Sequence, residues 1–194
     1  MKAVIIGLSL ATAFGSAKQL NVDPARLGDS QATLGIEAPE LAGYKTIPLL
    51  QSKWVTVTLS SYPGCPVEPN QSPKLTPLGV GVLTPKQNRQ TAAIPGDADL
   101  AIFAESTEQG GGNSVSCTAA LRFHSEAGKR YVVRYAPPRA WHKVSCSVEV
   151  VELRDGQESP VPSAHGALTN PVGLLKGGDL NICAESGKPA SAAP

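Results

Sequence analysis

Little in this sequence supports an active site. Only 5% of the residues are aromatic, and the chain has three histidines and one methionine. It contains no Gly-x-Ser-x-Gly elbow, no phosphate-binding loop of the usual glycine spacing and no Cys-x-x-Cys pair. The common signatures of hydrolases, nucleotide-binding enzymes and zinc proteins are therefore missing, and we expect neither a cofactor nor a metal.

An excess of charge of one sign is also missing. Lysine and arginine total 17, aspartate and glutamate total 16, and no basic cluster occurs. Nucleic acid and anionic lipid attract proteins mainly through excess positive charge. Neither is an expected partner.

The sequence lacks an apolar run of the roughly 20 residues that a membrane-spanning helix needs. Its first 17 residues instead carry Lys2, a short apolar run and small residues at Gly15 and Ala17. This pattern predicts a signal peptide over residues 1–17, cleaved before Lys18, and a periplasmic or secreted protein. No cysteine precedes Cys65, so we expect no lipid anchor. The alternatives are an uncleaved anchor and a buried first strand.

The sequence does contain several short β patterns. Apolar and polar side chains alternate in residues 53–60, 117–124, 130–135 and 144–152. Turn residues recur about every ten positions, as in sandwiches and barrels. We predict an all-β fold, an antiparallel β-sandwich of about seven or eight short strands.

The predicted domain boundaries follow from these patterns. The sandwich spans residues 53–185, after an extended lead-in at 18–52 in which Asp23 and Pro24 suit a short helical turn. Residues 186–194 lack large apolar side chains and are predicted to be a disordered tail. The stretch 159–178 is either loop or a short helix.

Two features refine the sandwich. The turn Glu126–Lys129 between two alternating runs predicts a β-hairpin. The four cysteines are even in number and lie in the exported part, which predicts disulfides. Three connectivities are open, and we favour Cys117 with Cys146 and Cys65 with Cys183, each stabilising the fold by ~2–4 kcal/mol.

The order WVTVTLS, GVGVLTP, AAIPGDADLAIFAES, LRFHSEAGKRYVVRY and CSVEVVEL, from Lys53 to Gly156, resembles a broad pattern of uncharacterised exported bacterial proteins. These are small β-sandwiches of transthyretin-like or PEGA-like character, with a Pro-Gly turn before one strand and a Gly-Lys turn before a tyrosine-bearing strand. This chain departs from the pattern in its extra cysteines and its long C-terminal stretch. The resemblance implies a sandwich fold and a cell-envelope location, and it implies no catalytic residues.

The three histidines and the Asp97–Asp99 pair are predicted to have no catalytic or metal-binding role. The spacing of His124, His142 and His165 does not favour convergence, so they are predicted to be ordinary exposed histidines. Asp97 and Asp99 would lie about 7 Å apart on one strand face, and a solvated turn explains them better than a metal or acid–base site.

The most suggestive surface feature is the loop PPRAWHKV, residues 137–144. It places Arg139, Trp141, His142 and Lys143 between two strands. A tryptophan flanked by cations is typical of contact hot spots and of sugar stacking. Alternatively, Trp141 packs over an open end of the sandwich, the more common fate of a large ring in a domain with few aromatics.

These observations favour a non-enzymatic exported domain that binds or scaffolds a protein or glycan of the envelope. One alternative is a secreted inhibitor or accessory protein that acts through a rigid loop such as Tyr62–Pro69, since a preorganised loop loses less entropy on binding. The other is a hydrolase or metal enzyme whose site is assembled from distant residues.

Overall fold

The computed structural model describes residues 19–44, 51–64, 74–110, 113–138, 146–171 and 182–183. This part of the chain forms eleven strands and two 3₁₀ helices. The strands are β1 (Asn21–Val22), β2 (Gln31–Glu37), β3 (Gln51–Ser61), β4 (Thr76–Leu83), β5 (Arg89–Pro95), β6 (Ala98–Gly110), β7 (Asn113–Ser125), β8 (Arg130–Ala136), β9 (Ser147–Arg154), β10 (Gln157–Pro160) and β11 (His165–Pro171); the 3₁₀ helices are Pro24–Arg26 and Pro39–Gly43.

Two sheets pack face to face, which confirms the predicted all-β sandwich. The six-stranded sheet has the order β1-β4-β3-β6-β7-β11, and the five-stranded sheet has the order β10-β9-β8-β2-β5. All pairings between these strands are antiparallel except that of β2 with β8. None of the described residues forms a helix of a length and apolarity that would cross a membrane.

The core follows from the two-residue period of the strands, because alternate side chains point between the sheets. Val55, Val57 and Leu59 of β3 are at most 1% exposed, while Thr56 and Thr58 keep partial contact with solvent. The five-stranded sheet contributes Leu34, Ile36, Tyr131, Val133 and Tyr135 to the same core.

Residues 18–52 were predicted to be an extended lead-in before the sandwich, and this is wrong. They supply three of its strand segments: β1, β2 and the first two residues of β3. β2 lies between β8 and β5, where Leu34 and Ile36 are buried. Its sequence QATLGIE alternates regularly, with Ala32, Leu34 and Ile36 inward, so a period-two signal was present and the prediction of an extended lead-in missed it. The predicted helical turn at Asp23–Pro24 is confirmed, since the Asp23 carboxylate accepts a hydrogen bond from the Ala25 N–H. These additions raise the strand number above the predicted seven or eight.

The predicted hairpin around Glu126–Lys129 is wrong. β7 pairs with β6 and β11, whereas β8 pairs with β9 and β2, so the turn carries the chain from one sheet to the other. Gly128 has φ 76° in this turn, a conformation that favours glycine. Both strands point their apolar faces inward, and the rings of Phe123 and Tyr131 meet across the core with centroids 5.2 Å apart. Alternation in both strands therefore reflects two sheets facing each other, rather than two neighbours in one sheet.

The predicted disulfide between Cys117 and Cys146 is confirmed. It joins β7 of the six-stranded sheet to the residue before β9 of the five-stranded sheet, and both cysteines are buried. Cys183 is also disulfide-bonded. Its predicted partner, Cys65, lies outside the described residues, so that pairing stays a prediction.

The C-terminal part corrects one further expectation. Residues 157–160 and 165–171 are strands at the edges of the two sheets, rather than the loop or short helix predicted within 159–178. Farther on, Ile182 packs on the outer face of the six-stranded sheet against Tyr62, Ala101 and Ala120, forming a second small apolar cluster. Residues 1–17 and 186–194, the predicted signal peptide and tail, lie outside the described residues.

Candidate functional site

One end of the sandwich closes with charged rather than apolar side chains. Lys53 of β3 and Glu108 of β6 are direct partners in the sheet register, and they share the inward phase of Val55 and Ser106. The Lys53 Nζ lies 3.2 Å from a Glu108 carboxylate oxygen, and the two side chains are 10% and 22% exposed. An ion pair so far withdrawn from solvent is screened much less than a surface pair.

Tyr44, just after the second 3₁₀ helix, completes this cluster. Its hydroxyl donates to the second carboxylate oxygen of Glu108 at 3.0 Å, and the Lys53 Nζ lies 5.4 Å from the centre of its ring. Burial, with the hydrogen bond to Glu108 and its charge, raises the pKa of Tyr44 to about 12. The phenol is therefore a proton donor throughout the physiological range, and both Glu108 oxygens are occupied. We call the region formed by Tyr44, Lys53, Glu108 and Pro138 the loop end.

The loop end holds both flanks of the segment 139–145. On one side the Lys53 ammonium donates to the Pro138 carbonyl at 3.5 Å. On the other side Cys146 is covalently joined to Cys117. These contacts fix the positions from which the predicted binding loop leaves and re-enters the sandwich.

A buried hydrogen-bond group lies directly beneath. The Tyr135 hydroxyl is 2.7 Å from the Cys117 carbonyl, to which it donates, and it accepts a bond from the Ser106 N–H at 3.2 Å. Burial raises the pKa of Tyr135 to about 12. Because β6 and β7 belong to one sheet and β8 to the other, this tyrosine fastens the sheets together next to the disulfide.

The predicted binding residues Arg139, Trp141, His142 and Lys143 all lie outside the described residues. Their binding role stays a prediction. The described contacts hold the two flanking residues: Lys53 binds the Pro138 carbonyl, and the disulfide holds Cys146.

Sequence reasoning missed the Lys53–Glu108–Tyr44 cluster, although a signal for part of it was present. Lys53 has the same phase as Val55 and Val57, so period two already directs it inward. The pairing with Glu108 depends on the register between β3 and β6, which the sequence alone does not provide.

The loop end is suited to holding a surface in place rather than to covalent chemistry. Lys53 and Glu108 neutralise each other, and Tyr44 is held protonated. A shallow pocket there is lined by Lys53, Ser106, Glu108, Val115 and Pro138 among others. The Ser106 hydroxyl forms a buried hydrogen bond with the Tyr135 hydroxyl, so it is not bonded to a general base that would make it a nucleophile.

The opposite end of the sandwich brings together three residue types found in hydrolases. His124 Nδ1 lies 2.9 Å from an Asp99 carboxylate oxygen, and Ser163 is adjacent. The Ser163 hydroxyl, however, accepts from the His124 backbone N–H and donates to the His124 carbonyl, at 3.0 and 3.4 Å. A serine nucleophile would instead bond the second imidazole nitrogen. These are exposed contacts between neighbouring segments of the sandwich that are distant in sequence.

Asp97 and His165 do not lie where the sequence analysis placed them. Asp97 does not share the strand face of Asp99, because it lies in the turn before β6 with φ 56° and accepts a bond from the Ala127 N–H. His165 begins β11 opposite Arg122, rather than lying in a loop. His142 lies outside the described residues. Within the described ranges, no group of three or more histidine, cysteine, aspartate or glutamate side chains is placed to hold a metal ion.

Comparisons with protein-family models, with curated proteins and with solved structures found no match for this chain.

Proposed function

We propose that the protein is an exported cell-envelope domain that binds or scaffolds another envelope component through the loop end, without catalysing a reaction. The observation that carries the proposal is the anchoring of Pro138 and Cys146 on a charged, hydrogen-bonded frame. Preorganised flanks reduce the conformational entropy that a contact loop loses on binding. The cationic and aromatic residues of 139–143 would supply the contact.

Export rests on the pattern of residues 1–17 together with the disulfide. A buried disulfide between sheets is compatible with an extracellular location, since disulfides persist in oxidising compartments. The resemblance to exported bacterial sandwiches points to the same location. The partner is a protein or glycan, because the nearly neutral chain lacks the excess positive charge that attracts nucleic acid or anionic lipid.

The test is capture of envelope components on immobilised protein, with the variant Arg139→Ala/Trp141→Ala/Lys143→Ala compared to the parent. The control is Arg130→Ala, which removes an exposed cation from β8, near the opposite end. We expect the triple variant to fold normally by circular dichroism and to lose at least about tenfold in affinity, which corresponds to 1.4 kcal/mol. Equal capture by a folded triple variant and the parent would contradict a contact surface at the loop end.

A further inference from the structure

A second surface borders the loop end and lies on the outer face of the six-stranded sheet. The register places Trp54 of β3, Thr107 of β6 and Ser116 of β7 in one row across three strands. The next row contains Thr56, Glu105 and Thr118 in the same strand order. All six residues belong to the outward phase and keep partial or full solvent exposure. We call these six residues the Trp54 face.

The core does not explain the position of Trp54. It belongs to neither apolar cluster and is not among the half-buried side chains packed against them. Within the described part of the chain, Phe123 contacts Tyr131, Lys53 contacts the ring of Tyr44, and Arg122 contacts the ring of Tyr62, whereas Trp54 takes part in none of these contacts. One of the two tryptophans of the chain thus lies half-buried on a sheet surface, outside both apolar clusters of the described residues. Such a placement suggests a ring used for contact.

The neighbours of the ring define the chemistry of the ligand. Thr107 is the neighbour of Trp54 across the strands and Thr56 its neighbour along β3, while Ser116 and Thr118 lie two strands away in the same rows. The Glu105 carboxylate is the charged group of the face. An indole provides a flat apolar surface, and hydroxyl and carboxylate groups provide donors and acceptors in fixed rows. A sugar ring needs both, because its C–H faces are apolar and its edge carries hydroxyls. Single-stranded nucleic acid also stacks on aromatics, but its phosphates need cations that this face does not present.

The size of the face separates a glycan from a protein partner. Two rows about 7 Å apart on three strands spaced about 4.8 Å apart cover on the order of 100 Å². A stable protein interface buries roughly 800 Å² on each partner around several large apolar anchors. The next outward residue of β6, Phe103, is already packed against the second apolar cluster, so the face has one large apolar anchor. One anchor among hydroxyls is too small for a protein interface, and it matches a few sugar residues of a chain lying along the sheet.

We propose that the Trp54 face binds a neutral polysaccharide by stacking a sugar ring on the Trp54 indole, with hydrogen bonds from the threonine and serine rows and Glu105. This site shares no residue with the loop end, which it borders along β3 and β6, and it does not depend on the function proposed for the loop end. A protein can carry both, since the outer sheet face and the sandwich end point in different directions.

The test uses the full chain carrying Trp141→Phe, so that Trp54 is the remaining tryptophan. The probes are insoluble cellulose, chitin and β-1,3-glucan in pull-down, with soluble oligosaccharides of the same linkages for fluorescence titration. We expect retention on at least one of them, with a change in Trp54 emission that saturates. Trp54→Ala is expected to weaken retention at least tenfold, and Trp54→Phe, which keeps a smaller ring, is expected to retain part of it.

Trp54→Leu guards against a folding artefact, because it keeps an apolar side chain on the strand and removes the ring. A folded Trp54→Leu protein that loses retention supports stacking. Retention that is unchanged in Trp54→Leu or Trp54→Ala would overturn the proposal. So would the absence of retention and of any emission change with all three glycans, and so would capture of an envelope protein that depends on Trp54.

Discussion

The hydroxyl of Tyr135 donates a hydrogen bond to the backbone carbonyl of Cys117 across the two sheets, at 2.7 Å. The same hydroxyl accepts from the Ser106 N–H, so one buried oxygen satisfies two backbone groups beside the disulfide. We expect Tyr135→Phe to lower the free energy of unfolding by about 1–3 kcal/mol, since it removes a buried hydroxyl that bonds both groups. Urea unfolding measures this.

Tyr131→Phe is the matched control for that variant. The Tyr131 hydroxyl accepts a bond from the Glu126 N–H near the exposed turn, where water can replace it. We expect a smaller loss of stability than for Tyr135→Phe. Equal losses of stability in the two variants would show that the Tyr135 hydroxyl has no special structural role.

Removal of the inter-sheet disulfide has a larger expected effect. Cys117 and Cys146 are separated by 29 residues in sequence, and closing a loop of this length stabilises a fold by about 3–4 kcal/mol in the chain-entropy model. Cys117→Ala/Cys146→Ala should therefore unfold at much lower denaturant concentration under non-reducing conditions. A loss below about 1 kcal/mol would contradict the view that this bond holds the sheets together.

The Lys53–Glu108 pair is expected to respond asymmetrically to substitution. Lys53→Met leaves the half-buried Glu108 carboxylate without its cation and should cost about 2 kcal/mol of stability. Lys53→Met/Glu108→Leu removes both charges and should recover part of that loss. The prediction fails if the single variant is as stable as the parent or if the double variant is less stable than the single one.

Alkaline pH tests the hydroxyls of Tyr44 and Tyr135. Folding raises both pKa values from 10.0 to about 12, so the fold favours the protonated phenols. The resulting stability is fully present below pH 10 and is lost as the pH rises towards 12. Tyr44→Phe should remove one late-titrating phenol from the ultraviolet absorbance of tyrosinate and flatten the decline in stability. A Tyr44 that titrates near 10 would contradict its burial and its bond to Glu108.

Close packing of two turns at the other end of the molecule gives a steric prediction. A Cβ on Gly96 would lie 2.7 Å from the Ala127 Cα, whereas a Cβ on Gly43 would meet nothing within 4 Å. Gly96→Ala should therefore cost about 1–3 kcal/mol through overpacking, and Gly43→Ala should leave stability nearly unchanged. Thermal unfolding of the two variants side by side decides this.

Alternation of side chains was enough to predict the sandwich and the strands near residues 53–60, 117–124 and 130–135. It could not show which strands are neighbours. β7 and β8 carry the same inward apolar pattern whether they pair in one sheet or face each other across the core. Only their partners distinguish the two arrangements.

The candidate sites were less accessible to prediction for a related reason. The phase of Trp54, between the inward Lys53 and Val55, already directs it outward. Its row with Thr107 and Ser116 depends on the register of β3, β6 and β7, and so does the pairing of Lys53 with Glu108. Register reflects contacts between segments far apart in the chain, which local patterns do not contain.

Hydrogen–deuterium exchange of the protein with and without its captured envelope partner tests the central claim most directly. A contact surface at the loop end predicts slowed exchange in the peptides that carry residues 136–147 and in the ends of β3 and β6 at Lys53 and Glu108. Protection restricted to another surface, such as the edge strand β5, together with unchanged exchange at the loop end would contradict the account.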